Sequence, residues 1–218
     1  MICIIKIRLS NFYKFDKWIF LEEKIINNPK IKNIISFVSN GMGGKMERIS
    51  IIGCGGHARS VVDILASNKN NVDVTFYDPC IKQGEKIFGG GYNCVVLKPE
   101  SKFDSKKLFI AIGDNERRKD YVSKYKRDTE LSFISIISKN AYVSQFAAIN
   151  DGVLIADGAH IGPEAKIGAF SIINTNAVIE HEVRIGEYCH ISVNTSVCGK
   201  SKIGNNVFLG AGTVVKEE

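Results

Sequence analysis

Residues 155–197 read IADGAHIGPEAKIGAFSIINTNAVIEHEVRIGEYCHISVNTSV, and every sixth residue from Ile155 onward is Ile or Val. Extended in both directions, the register holds for fourteen positions: Ile137, Val143, Ile149, Ile155, Ile161, Ile167, Ile173, Ile179, Ile185, Ile191, Val197, Ile203, Leu209 and Val215. A second series, four residues after each anchor, runs from Ala141 to Thr213 and holds only small or β-branched side chains. Helical spacing and the alternation of a sandwich strand both fail to give this period, whereas a β-helix of hexapeptides does. The anchor fills a narrow prism, and the residue four on must be small enough to fit beside it. Gly162, Gly168, Gly186, Gly204 and Gly210 directly follow anchors; they are expected at the corners, taking positive φ.

Ahead of the repeat, Arg48-Ile49-Ser50-Ile51-Ile52 reads as a buried strand, GCGGHA as a tight turn and RSVVDILAS as an amphipathic helix. Gly53, Gly55 and Ala58 satisfy G-x-G-x-x-A, and Asp78 closes the next strand, VDVTFYD, an arrangement that cradles a phosphate group on a helix N-terminus. A further strand is expected at LFIAIGD, followed by a helix from Asn115 with Asp114 as N-cap. Arg117 and Arg118 are expected on its exposed side, with contact to phosphate as the alternative. The span from Met46 to the first hexad is too short for the two βαβαβ halves of a dinucleotide fold, so one half domain for one nucleotide is expected.

The net charge of +6 is an uneven property. Residues 1–45 hold eight Lys or Arg against three acids, which leaves 21 against 20 in the remainder. The basic residues of that tail are scattered rather than clustered, so no nucleic-acid partner is expected. The six cysteines form no C-x-x-C pair and no secretory leader precedes them, which points to reduced thiols in a cytoplasmic protein. No apolar run approaches spanning length, so no membrane insertion is expected.

The segments IIGCGGHA, LFIAIGDNERRKDY and IINTNAVIEHEVRIGEYCHISV, in that order, resemble one group of bacterial hexapeptide-repeat sugar acetyltransferases. That group contains the sialic acid O-acetyltransferases and the N-acetyltransferases acting on UDP-linked 4-amino sugars. The resemblance covers residues 46–218. It implies an α/β Rossmann-like half domain (46–136) that binds the nucleotide-sugar, then a left-handed parallel β-helix (137–218) with three hexads per coil. It further implies a homotrimer with active sites between subunits, and acetyl-CoA as co-substrate. The handedness rests on the resemblance alone, since ordinary crossovers are right-handed.

Three histidines lie in the repeat. His181 falls two residues after an anchor, and His160 and His190 five after, so none takes an inward slot. Periodicity does not choose among them. The resemblance selects His181 as general base, with Glu182 strengthening it. Chemically, an attacking amine or hydroxyl must lose a proton, and neutral imidazole accepts it near pH 7. A carboxylate on the other ring nitrogen, Glu182 or alternatively Glu180, fixes the tautomer as the acid of a catalytic triad does. The resemblance also implies substrate contacts at Gly55, Gly56, His57, Asp78, Gly113 and Asn174, with Asp78 accepting hydrogen bonds from the uracil or ribose. It implies acetyl-CoA contacts at His190, Ala211 and Gly199. The oxyanion of the tetrahedral intermediate needs a donor, for which His190 or a backbone N–H of a neighbouring subunit is a candidate.

The leading expectation is therefore acetylation of the amine of a UDP-linked amino sugar for a surface glycan, with O-acetylation of sialic acid-type sugars as the alternative. A hexapeptide metalloenzyme would need histidines stacked at multiples of eighteen residues; the gaps of 21, 9 and 30 give none, so no metal is expected. Two further expectations concern the ends. Met46 reads as the translation start, with Gly43-Gly44-Lys45 as in-frame ribosome-binding sequence; the competing reading makes 1–45 an extension that packs Trp18, Phe20 and Ile25 on the trimer. Relatives continue for another coil ending in Gly-x-Pro-Ala-Lys, absent here, so an open sheet edge and an incomplete acetyl-CoA site are expected, and with them the option of a non-catalytic trimeric repeat protein.

Overall fold

The computed structural model describes residues 47–68, 72–81, 93–96, 98 and 102–217. The expectations for residues 1–45 and for Met46 lie outside them. Residues 46–218 form one compact unit.

The chain first builds a parallel sheet. β1 (Glu47–Ile52) pairs with β2 (Val72–Asp78) on one side and β4 (Lys107–Ile110) on the other, with β3 (Asn93–Val96) and β5 (Ser132–Phe133) outermost, in the order β3-β2-β1-β4-β5. β3 and β5 go beyond the strands expected from sequence. Ile49, Ile51 and Ile52 are all buried, as a central strand covered on both faces requires. Strand order reverses direction between β1 and β4, and at such a switch point a crevice opens at the carboxyl ends. α1 (Gly56–Ser67) leaves β1 and α2 (Asn115–Tyr125) leaves β4. α1 begins at Gly56, three residues ahead of the expected RSVVDILAS, so His57 lies in its first turn. Asp114 caps α2 as expected, its Oδ1 accepting from the backbone N–H of Arg117 at 2.8 Å.

Fourteen two-residue strands follow, from β6 (Ile136–Ile137) to β19 (Val214–Val215), each ending on an anchor of the six-residue series. Partners lie eighteen residues apart, so three hexads complete a coil of the parallel β-helix. The first face stacks Ile137, Ile155, Ile173, Ile191 and Leu209. The second stacks Val143, Ile161, Ile179, Val197 and Val215. The third stacks Ile149, Ile167, Ile185 and Ile203. Anchors from Ile155 to Val197 are buried with the small residues four on, whereas anchors at either end are only partly covered. Each buried Ile contributes roughly 2 kcal/mol.

The corners differ from expectation. Positive φ falls three residues after the anchor, at Glu164, Phe170, Asn176, Glu182, Tyr188, Asn194, Lys200 and Asn206 and at Gly152, Gly158 and Gly212. The glycines directly after anchors are absent from that set. At Gly162 a Cβ would come within 2.8 Å of the Glu180 carbonyl carbon and His181 nitrogen, and at Gly168 and Gly186 it would strike the backbone of the following coil. These glycines permit close coil stacking rather than a left-handed turn.

The two parts share a core. The outward residues of the first face, Ile136, Leu154 and Ile172, pack in one cluster with Ile49, Ile51, Val61, Leu65 and Phe109. On the third face the equivalent positions are Ala148, Lys166, Arg184 and Lys202. Among the described residues, the α/β layer therefore packs its apolar cluster on the first face and not on the third.

Candidate active site

The loops after β1 and β4 meet at the crevice. Gly53 has φ 102°, and a Cβ there would lie 2.8 Å from the Ala111 carbonyl oxygen, so the first turn glycine lets β1 exit against the end of β4. Gly55 and Gly56 are exposed, with open space where side chains would stand. Asp78 binds this turn: Oδ2 accepts from the N–H of Cys54 at 2.9 Å and Oδ1 from that of Cys80 at 2.8 Å. Its first job in this structure is thus to hold the glycine turn in shape.

Below the crevice, His190 projects from the first face. A carbonyl only accepts, so the 3.0 Å contact with Gly113 O makes Nδ1 the protonated nitrogen. Nε2 then accepts from Asn174 Nδ2 at 3.1 Å, while Asn174 Oδ1 accepts from Thr175 N–H at 2.8 Å. Burial lowers the His190 pKa, partly countered by the Gly113 bond, and the Arg118 charge lowers it further. His57 lies over it with ring centroids 6.2 Å apart. Burial, then the His190 and Arg118 charges, push the His57 pKa down to about 4, and its Nε2 is enclosed without a hydrogen-bond partner among the described residues. His57 is therefore a first-turn histidine, largely enclosed rather than solvated. Gly113, Asn174, His190 and His57 come together, with Gly55 and Gly56 at the rim. In this tautomer His190 has no free N–H, so its ring offers no donor to an oxyanion.

Arg118 departs most from expectation. It is buried, its Nε donating to Phe170 O at 2.8 Å, one terminal nitrogen to Ile112 O and Gly113 O at 2.9 and 3.0 Å, and the other to Asn115 Oδ1, Tyr188 O and Cys189 O at 2.8, 3.0 and 3.1 Å. Burial lowers its pKa to about 10, which leaves it charged at neutral pH. It ties the Gly113 loop to the β-helix corners rather than facing solvent or phosphate. A signal existed: Asn115, Arg118, Val122 and Tyr125 are the buried residues of α2 and follow helical spacing.

A second group lies elsewhere. His181 stands at the corner between the second and third faces, half exposed, its Nδ1 3.1 Å from Glu182 Oε2. The carboxylate accepts, which leaves Nε2 with a free lone pair. Glu182, not Glu180, makes this contact. Gly199, one coil on, lies against the imidazole. A shallow pocket of about 200 Å³ beside this corner is lined by Phe146, Ala148, Glu164, Lys166, Glu182 and Arg184. Ala211 is exposed at the corner between the first and second faces, the same corner as Asn174 and about 10 Å along the axis from it at one strand spacing per coil. In a three-faced prism the His181 corner is opposite the first face, so the crevice group and the His181 group lie on opposite sides of one chain.

Comparison with known proteins accounts for both halves. The family "PglD N-terminal domain" matches residues 48–125, and "Bacterial transferase hexapeptide (six repeats)" matches residues 182–217. A histidine variant of perosamine N-acetyltransferase from Caulobacter crescentus, solved with CoA and GDP-perosamine, is 27% identical, with TM-score 0.63 over 80% of this chain and 90% of that one. In both halves the chain is similar to hexapeptide-repeat sugar acetyltransferases. The fold extends to the acetyltransferase domain of PglB from Neisseria gonorrhoeae, 22% identical, TM-score 0.64, over 78% and 91% of the two chains. It extends also to WeeI from Acinetobacter baumannii, 21% identical, TM-score 0.61, over 79% and 92%. An uncharacterized protein of Acanthamoeba polyphaga mimivirus is 32% identical over 128 residues, 57% of this chain; the match spans 24% of that relative's length. Among the described residues, no His, Cys, Asp and Glu side chains group as metal ligands, and no helix is long and apolar enough to cross a membrane.

Proposed function

We propose that this acetyltransferase moves the acetyl group of acetyl-CoA to the amine of a nucleotide-linked amino sugar, a UDP-linked 4-amino sugar of surface glycan synthesis, with His181 as general base. The observation that carries the reading is the His181–Glu182 contact: a carboxylate on Nδ1 presents a basic Nε2 at an open corner. The amine nitrogen attacks the thioester carbonyl, its proton passes to His181 Nε2, and as the C–S bond breaks and the new amide forms the departing sulfur takes that proton back, releasing CoA as the thiol. Glu182 stabilises the imidazolium in between. The nucleotide occupies the crevice at Gly55, Gly56 and Gly113, where backbone N–H groups at the start of α1 meet the phosphates. Asn174 stands near the acceptor group, and acetyl-CoA runs along the corner that carries Asn174 and Ala211, past His190. A backbone N–H serves the oxyanion, since the His190 ring is fully engaged.

The opposite placement of crevice and base supports assembly as a homotrimer in which one protomer's crevice faces another's His181. Exposed Tyr142, Phe146 and Val214 on the second face and its His181 corner support a second copy there. The perosamine enzyme, with its CoA and GDP-perosamine, supports a nucleotide-linked amino sugar as acceptor. The test is CoA thiol release from acetyl-CoA with three acceptors: a UDP-linked 4-amino sugar, GDP-perosamine and free sialic acid. Turnover with the UDP-sugar above the other two is expected. Turnover with sialic acid alone would replace amine by hydroxyl acetylation.

A further inference from the structure

Gly199 stands two residues after an anchor, one coil beyond His181. The three atoms nearest to a Cβ built there all belong to the His181 ring: Cε1 and Nε2, both at 2.6 Å, and Cδ2 at 3.2 Å. The backbone does not call for glycine, because Gly199 is outside the positive-φ set. Nor does coil stacking, since no backbone atom is among those three neighbours, in contrast to Gly162, where a Cβ meets the chain of the next coil at 2.8 Å. The space of the absent side chain at 199 is taken first by the His181 ring.

The ring is thereby held from two directions. Glu182 takes Nδ1 at 3.1 Å, and the Cε1–Nε2 edge rests against the bare Cα of Gly199. The N–H of Lys200 donates to the His181 carbonyl at 2.9 Å, which fixes the spacing of the two coils at this point.

We propose that Gly199 is a positioning residue for the proton transfer: its missing side chain is the seat that places Nε2 of His181. The inference rests on the reading of His181 as general base, and it gives Gly199 a role other than the acetyl-CoA contact expected from sequence. A methyl group at 199 displaces the ring edge by about 1 Å to restore ordinary contact, and a misplacement of that size costs on the order of 10²-fold in rate. The fold tolerates the change, because what must move is the end of a half-exposed side chain.

The experiment compares the full chain with Gly199→Ala, His181→Ala and the double variant, with acetyl-CoA and a UDP-linked 4-amino sugar, and records the His181 imidazole NMR resonances of the first. Gly199→Ala is expected to keep its urea midpoint within experimental scatter and to shift the His181 ring resonances but not those of His160. Its kcat should fall roughly 10- to 100-fold with KM for acetyl-CoA within about threefold, and it should add no loss on top of His181→Ala. Unmoved ring resonances, a raised KM for acetyl-CoA with kcat kept, or an equal loss in the His181→Ala background would each overturn the proposal. Near-full turnover of His181→Ala itself instead refutes the base assignment, while the resonances still report whether Gly199 seats the ring.

Discussion

Arg118 Nε donates to the carbonyl of Phe170 at 2.8 Å, so a helix of the α/β layer is fastened to a corner of the β-helix by a buried cation. The same guanidinium satisfies carbonyls of Ile112, Gly113, Tyr188 and Cys189. Arg118→Ala leaves the carbonyls of Phe170, Ile112 and Tyr188 without this donor, while Gly113 keeps the N–H of His190 and Cys189 that of Ile172; a loss of about 3–5 kcal/mol in unfolding free energy is expected from urea titration. Arg118→Lys keeps the charge without the fork and should recover less than half of it. A loss under about 1 kcal/mol in the alanine variant would show that the fastening is dispensable.

His57 makes stability depend on acidity. Its folded pKa of about 4 is below the ordinary 6.5, so between those values the unfolded chain takes up a proton that the folded chain refuses. Stability from this group is complete above about pH 6.5 and lost as pH falls toward 4, by on the order of 3 kcal/mol. The lowered pKa of His190 acts in the same direction. Urea midpoints across this window should fall less steeply in His57→Gln than in the parent; equal slopes would contradict the enclosed neutral imidazole.

The corner geometry predicts opposite signs for two substitutions. Glu164 is exposed with φ 61°, and Glu164→Gly relieves a left-handed L-residue, stabilising by about 0.5–1 kcal/mol. Gly158 has φ 69°, and a Cβ there would strike the Asn176 side chain, so Gly158→Ala should cost about 1–3 kcal/mol. Thermal unfolding of the two variants checks both.

The β-helix was legible because its core is one-dimensional: the six-residue anchors and their small partners state the coil directly. The corner conformation was not, since Gly162, Gly168 and Gly186 serve contact between coils, while left-handed φ falls three residues after the anchor, on Glu, Lys, Phe, Tyr and Asn as well as Gly, without a shared side-chain chemistry. The covered face was readable in principle. Sorting the residues before each anchor by eighteen separates Ile136, Leu154 and Ile172 from Lys166, Arg184 and Lys202, and only the first set calls for an apolar neighbour. The roles of Arg118 and His57 depend on long-range packing between α2, α1 and the prism, which local pattern does not encode. The pairing of His181 with Glu182 was expected from the resemblance, but the seat formed by Gly199 emerges only once coils are stacked.

The most direct test of the proposed mechanism is kcat of His181→Ala with acetyl-CoA and a UDP-linked 4-amino sugar, alongside its oligomeric state. A fall of about 10²–10⁴-fold with assembly unchanged is the predicted result. Turnover within a few-fold of the parent would contradict His181 as the base.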